Sequence, residues 1–153
     1  MNKILSSTPA NLRLTKTAHL VKYSDLNHHG TLFAGKMSEW LVETSFIAAA
    51  RFLGRPEDIV CIQVHGIKFT KPARRGDLVE IQTQVGHVGK KSITVIAKAY
   101  LNTNVEVVID CSATFVSVDQ NGHSYEHGLK LPQDYIDSHS DICEKAERIY
   151  NKK

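Results

Sequence analysis

Hydrophobic and polar residues change period twice along this chain. Leu14 to Tyr23 read as a first strand, and the next segment holds the turn formers Ser24, Asp25, Asn27 and Gly30 without apolar periodicity, which marks a loop. From Thr31 or Leu32 to about Phe52 the period becomes helical, with Met37, Trp40, Leu41, Thr44, Ala48 and Phe52 on one face at spacings of three and four. Gly54, followed by Arg55 and Pro56, ends the helix. Val42, Phe46, Ala49 and Ala50 make the opposite face apolar as well, the pattern of a helix covered on most sides.

Four strand-like runs follow, over 59–70, 78–88, 92–101 and 105–118. Alternation is clearest in the second, where Val79, Ile81 and Val85 share one face and Glu80, Gln82 and Gln84 the other. Lys71-Pro72 through Arg75-Gly76-Asp77, Gly89-Lys90-Lys91 and Asn102-Thr103-Asn104 separate the runs by turns short enough for antiparallel neighbours. Beyond Pro132, Tyr135 to Asn151 carry a thin apolar stripe of Ile136, Ile142, Ala146 and Ile149, which predicts a surface helix. These elements predict an α+β fold, an antiparallel sheet wrapped on one long central helix. The expected organisation is one domain over 1–132 with a C-terminal surface helix or tail over 133–153.

Composition narrows the function classes. At 153 residues the chain can bury a core without staples. No run of about 18 apolar residues is present to span a bilayer, and the N-terminus lacks the apolar core of a secretory signal, so a cytoplasmic protein is expected. Cys61, Cys111 and Cys143 are odd in number and far apart, which offers neither a disulfide framework nor a metal motif. A net charge of +3 falls short of the basic face of a nucleic-acid binder but suits an anionic small-molecule partner. The basic groups cluster at Lys68, Lys71, Arg74 and Arg75 and again at Lys90 and Lys91.

The long helix carries two charged residues between Lys36 and Arg51, namely Glu39 and Glu43. A carboxylate on a largely covered helix costs several kcal/mol unless it is paired or hydrogen-bonded, so Glu43 either looks into a cleft or a subunit interface, or reaches solvent or pairs with a lysine. Gly35 in the first turn costs about 1 kcal/mol relative to alanine and marks a close approach to the helix N-terminus, where free N–H groups favour an oxyanion. Asn27, His28 and His29 lead straight into it. An amide, imidazoles, unpaired N–H groups and a carboxylate further along suffice to polarise an acyl carbonyl and activate a water. His65 is a further candidate. Its face depends on the alternation of Cys61, Gln63 and His65 against Ile62 and Val64: it is either a satisfied core residue beside Gln63 or a base facing Glu43.

The run Asp25-Leu26-Asn27-His28-His29-Gly30-Thr31-Leu32-Phe33-Ala34-Gly35, with Trp40 and Glu43 after it, resembles the active-site segment of hot-dog-fold acyl-CoA thioesterases of the long-chain acyl-CoA hydrolase branch. Gly66 to Pro72, Gly76-Asp77 and Ala113 to Asp119 with Gly122 resemble later parts of that family, so the likeness covers roughly residues 15–132. The resemblance implies hydrolysis of acyl-CoA to a free acid and CoA, with no cofactor, since CoA is part of the substrate. It also implies a five- or six-stranded sheet, dimerised edge to edge, with active sites and a CoA groove between subunits, and a homodimer assembling into a tetramer or hexamer. The family's asparagine maps onto Asn27 and its helix-start glycine onto Gly35, and its CoA contacts map onto Lys71, Lys90, Lys91 and Ser92.

One departure stands out. An ungapped match puts the family's catalytic carboxylate at Val42, and this chain offers Glu43 one position later. A one-residue shift turns a helical side chain by about 100°. A register difference that restores Glu43, the use of Glu39, or a different arrangement remain as readings. His29 and Glu43, fourteen positions apart, have the spacing of hot-dog hydroxyacyl-thioester dehydratases, the rival enzyme. A non-catalytic acyl-CoA-binding module is the rival outside enzymes.

Overall fold

The computed structural model describes residues 8–102 and 106–151. Its order is β1 (Thr15–Leu20), α1 (Ala34–Leu53), β2 (Ile59–His65), β3 (Leu78–Val88), β4 (Ser92–Leu101), β5 (Val107–Ser117), α2 (Gln133–Ser138) and α3 (Ser140–Asn151). The five strands form one antiparallel sheet in the order β1-β3-β4-β5-β2, which leaves β1 and β2 as edges.

Inward-facing residues of the strands alternate with outward ones, and the inward set packs on α1. Val79, Ile81, Ala97, Ala99, Ile109 and Cys111 meet Met37, Trp40 and Leu41 at one end of the helix. Val85, Ile93, Val95, Ala113 and Phe115 meet Ala48, Ala49 and Phe52 at the other. Alanines on both partners let the helix lie close to the sheet. α1 ends where expected, at Gly54, whose φ of 80° supplies the left-handed cap and whose N–H bonds Ala50 O. No helix among the described residues is long and apolar enough to cross a membrane.

β3 and β4 have the predicted bounds, but β2 stops at His65 rather than Thr70, because Gly66 turns the backbone to φ 70°. A bulge also interrupts β2: Cys61 pairs with Phe115 and Gln63 with Thr114, so Ile62 has no partner. The alternation expected for Cys61, Gln63 and His65 is therefore broken. Cys61 lies on the α1 side with Phe115, while Gln63 and His65 share the opposite face with Thr114 and Ser112. Of the expected Asn102-Thr103-Asn104 turn, Asn102 has φ 51° and the other two lie outside the described residues, as does Val105 at the expected start of the last strand.

The C-terminal segment is two helices, broken at His139, rather than one. α3 covers the face of the sheet turned away from α1. Ile142 lines a small cleft with Ile96, Lys98 and Tyr100, Lys145 pairs with Asp110, and Ala146 is fully buried. Gly86 makes this seat, because a Cβ there would stand 2.7 Å from the Cβ of Ala146. Tyr135 of α2 donates its hydroxyl to Val85 O at 2.5 Å, fixing the same region of β3.

Candidate active site

The loop from Asp25 to Phe33 is a closed structure held by its own polar groups. Asp25, only 5% exposed, accepts the N–H of Lys22 at 2.9 Å through its carboxylate, and its carbonyl accepts the N–H of Phe33 at 2.9 Å. The side chain of Asn27 makes an Asx turn, its Oδ1 accepting the N–H of His29 at 2.9 Å and that of Thr31 at 3.1 Å. Its Nδ2 donates to Thr31 Oγ1 at 2.9 Å, which leaves one amide hydrogen to offer outward. Leu32 N–H bonds Ala73 O at 2.8 Å and Thr31 bridges Arg74, so this turn is bound to the segment entering β3.

The turn ends at the N-terminus of α1, where Phe33 supplies no side-chain cap. Lys36 and Met37 donate to Phe33 O, so the N–H groups of Ala34 and Gly35 precede the first helical bonds. At Gly35 a side chain would meet the Phe33 ring 2.5 Å away, which is the close approach this glycine permits. Asn27, Thr31, Ala34, Met37, Phe69 and Lys71 are among the residues that line a cleft of about 320 Å³ at this point. Apolar walls, an amide, two free N–H groups and one lysine suit a neutral acyl carbonyl beside an anionic group.

The remaining candidates lie elsewhere. α1 is continuous from Ala34 to Leu53 with no bulge that would bring Glu43 into the place of Val42. Val42 is partly covered on the flank shared with Phe46, whose ring is 6.2 Å from Phe115 beside the β2 edge. Glu43 is exposed and leans toward β1, the flank on which Trp40 stacks on His19 and Arg51 donates to Thr15 Oγ1 at 2.9 Å. Glu39 is also exposed, and pairs with Lys36 at 3.6 Å. Glu43 stands eight residues beyond Gly35, roughly 12 Å along the axis, so one chain does not join it to the Asn27 cleft. His29 is exposed with its ring 4.0 Å from that of His28. His65, turned outward by the bulge, has Nε2 3.4 Å from Thr114 Oγ1. It does not face Glu43.

His19, which sequence reasoning did not single out, is the imidazole near Glu43. Its ring lies 4.3 Å from that of Trp40 with 6° between the planes, and its Nε2 is buried without a partner among the described residues. Burial pushes its pKa below the ordinary 6.5, against the raising effect of Glu43 and Asp25. The signal lay in the alternation of Thr15, Thr17 and His19 on one face of β1, which points all three at the helix.

Of the expected CoA contacts, Lys71 lines the Asn27 cleft. Lys90, Lys91 and Ser92 form the β3–β4 turn at the other end of an eleven-residue strand, roughly 33 Å away by strand rise. Lys91 Nζ reaches Ser124 Oγ at 3.4 Å and Lys90 O accepts the N–H of His127 at 3.1 Å. Ser92 is 8% exposed, its hydroxyl close over Gly89. Among the described residues no group of His, Cys, Asp and Glu could hold a metal ion.

A family model described as thioesterase superfamily matches residues 29–116. An uncharacterized acyl-CoA thioester hydrolase of Bacillus subtilis (strain 168), YkhA, is 30% identical over 152 residues, covering 92% of this chain and 87% of that protein. An acyl-CoA hydrolase of Staphylococcus aureus, solved in complex with butyryl coenzyme A and coenzyme A, shares the fold with a TM-score of 0.67 at 23% identity over 91% of this chain and 88% of that one. An apo-hexameric acyl-CoA thioesterase does so with a TM-score of 0.75 at 21% identity over 95% and 93%. The helix-wrapped sheet is thus the hot-dog fold, and the chain belongs to the thioesterase superfamily.

Proposed function

We propose that the protein hydrolyses the thioester bond of acyl-CoA, releasing a carboxylic acid and CoA. The observation that carries this reading is the Asn27 turn, set against the uncapped N-terminus of α1 in a chain of this family. The outward amide hydrogen of Asn27 and the N–H of Gly35 hold the thioester carbonyl, and bind the oxyanion more strongly as charge develops on it. Glu43, which one chain holds roughly 12 Å along α1 from this cleft and on the β1 flank, is brought to it by another subunit of the closed assembly and takes a proton from water as the oxygen attacks the carbonyl carbon. Collapse of the tetrahedral intermediate breaks the carbon–sulfur bond, and the departing thiolate receives the proton. Relatives named as acyl-CoA thioester hydrolases favour this over the dehydratase reading.

The working unit in this reading is a dimer that closes into a tetramer or hexamer, which the hexameric neighbours support. Val60, Ile62 and Val64 are 44, 54 and 38% exposed on the β2 edge, an apolar strand with no neighbour on one side among the described residues. The N-terminal end of β2 lies toward the β3–β4 turn, and its C-terminal end leads to Lys71 and the Asn27 cleft. Antiparallel pairing of two β2 strands therefore sets the Asn27 end of one copy against the Lys90 end of the other. A CoA groove then runs from Lys71 in one subunit to Lys90, Lys91 and Ser92 in its partner.

The test is release of free thiol from acyl-CoA by the purified protein. Turnover that falls about 10²- to 10³-fold in Asn27→Ala supports the reading. Tight binding of acyl-CoA with no thiol released would make the protein a binding module.

A further inference from the structure

Two clefts open beneath the C-terminal helices, at the end of the sheet far from Asn27. The larger, about 460 Å³, has His87, Lys90, Glu126, Lys130 and Tyr150 among its walls. The smaller, about 300 Å³, has Gly86, Val88, Leu131, Ile136, Cys143 and the exposed Glu147 among its walls. His87, Val88 and Lys130 line both, so the two clefts adjoin in one region of the surface. Its inner part, the smaller cleft, opens to solvent and takes its apolar lining from Val88, Leu131, Ile136 and Cys143. Its outer part carries two lysines, a histidine and a phenol, the ring of Tyr150 lying 4.3 Å from that of His87. Each volume lies within the range of a small-ligand site.

We propose that this space is a second ligand site, separate from the thioester site, for a single-chain aliphatic carboxylate such as the acid the reaction releases. The hydrocarbon chain lies under α2 and α3 against Val88, Leu131, Ile136 and Cys143. The carboxylate sits at the outer end beside Lys130, which lines both clefts, and Lys90 is left to the CoA groove. An aliphatic chain gains about 0.8 kcal/mol for each methylene removed from water, so affinity rises with chain length until the inner cleft is full. The choice of a carboxylate rests on the thioesterase reading. The cleft and its lysines do not.

Calorimetric titration of the full-length protein with sodium dodecanoate, kept below its micelle concentration, tests this without turnover. One site per subunit is expected in the presence of saturating CoA, with dodecylamine failing to bind. Lys130→Glu, which reverses the charge at the mouth, and Ile136→Trp, which fills the inner cleft, are each expected to weaken dodecanoate at least about tenfold while thiol release from acyl-CoA stays unchanged. If Ile136→Trp does not fold, Lys130→Glu with the amine control decides alone. Absence of binding, displacement of dodecanoate by CoA, or equal affinity in wild type and Lys130→Glu overturns the proposal. A protein that binds dodecanoate as described but releases no thiol keeps the site and loses the thioesterase reading.

Discussion

His19 and Trp40 stack face to face, 4.3 Å between ring centroids, and bury the Nε2 of His19 against the helix without a hydrogen-bond partner among the described residues. The ring is held neutral chiefly because burial penalises its charged form. Glu43 and Asp25 oppose that shift, while Lys22 and Lys36 reinforce it. The folded state therefore takes up the His19 proton at lower pH than the unfolded chain. The resulting stability is present above about pH 6.5 and is lost as pH falls through the folded value. His19→Phe keeps the stack and removes the titration. Its melting temperature is expected to fall less than that of wild type between pH 7.5 and pH 5, and parallel curves would remove His19 as the cause.

Gly86 is the seat of α3, and its lack of a side chain lets the helix lie on the strand. Gly86→Val would drive carbons into Ala146 and Ile142 and is expected to cost roughly 1–3 kcal/mol, as overpacking does. Hydrogen exchange should then show residues 140–151 losing protection while α1 keeps its own. Unchanged protection of α3 would mean that the contact is easily relieved.

The β2 edge gives a third expectation. Ile62→Lys places a charge on the exposed apolar strand and should yield monomers in size-exclusion chromatography with light scattering, where wild type gives a dimer or larger closed assembly. A site shared between copies also predicts complementation. Asn27→Ala chains refolded with chains carrying Lys90→Ala and Lys91→Ala should exceed the mean activity of the two parents, since some mixed dimers hold one intact groove. Activity at the mean would place both sets of residues in one subunit's site.

Much of this fold was legible in sequence because its elements carry strong local periods. β3 and β4 have alternating inward residues that match their bounds, and α1 is bounded by the Gly54 cap. The face of His65 was not legible, because a single unpaired residue, Ile62, reverses the alternation, and bulges depend on the partner strand. The Asn27 turn could be read because an Asx turn is built from neighbours in sequence. His19 beside Glu43, and the separation of Lys90 from Lys71, depend on which strands lie at which end of the sheet. That is set by tertiary packing rather than by any local pattern.

The most direct measurement is thiol release from one acyl-CoA by wild type and Glu43→Gln, with Glu39→Gln, His29→Ala and His65→Ala in the same assay. Wild type is expected to turn over. A general base contributes about 10²- to 10⁴-fold, so Glu43→Gln should lower kcat by that order with KM and assembly size nearly unchanged, and the other three should stay close to wild type. Full turnover by Glu43→Gln together with loss in Glu39→Gln would move the base one turn along α1. Absence of thiol release by wild type itself would contradict the account.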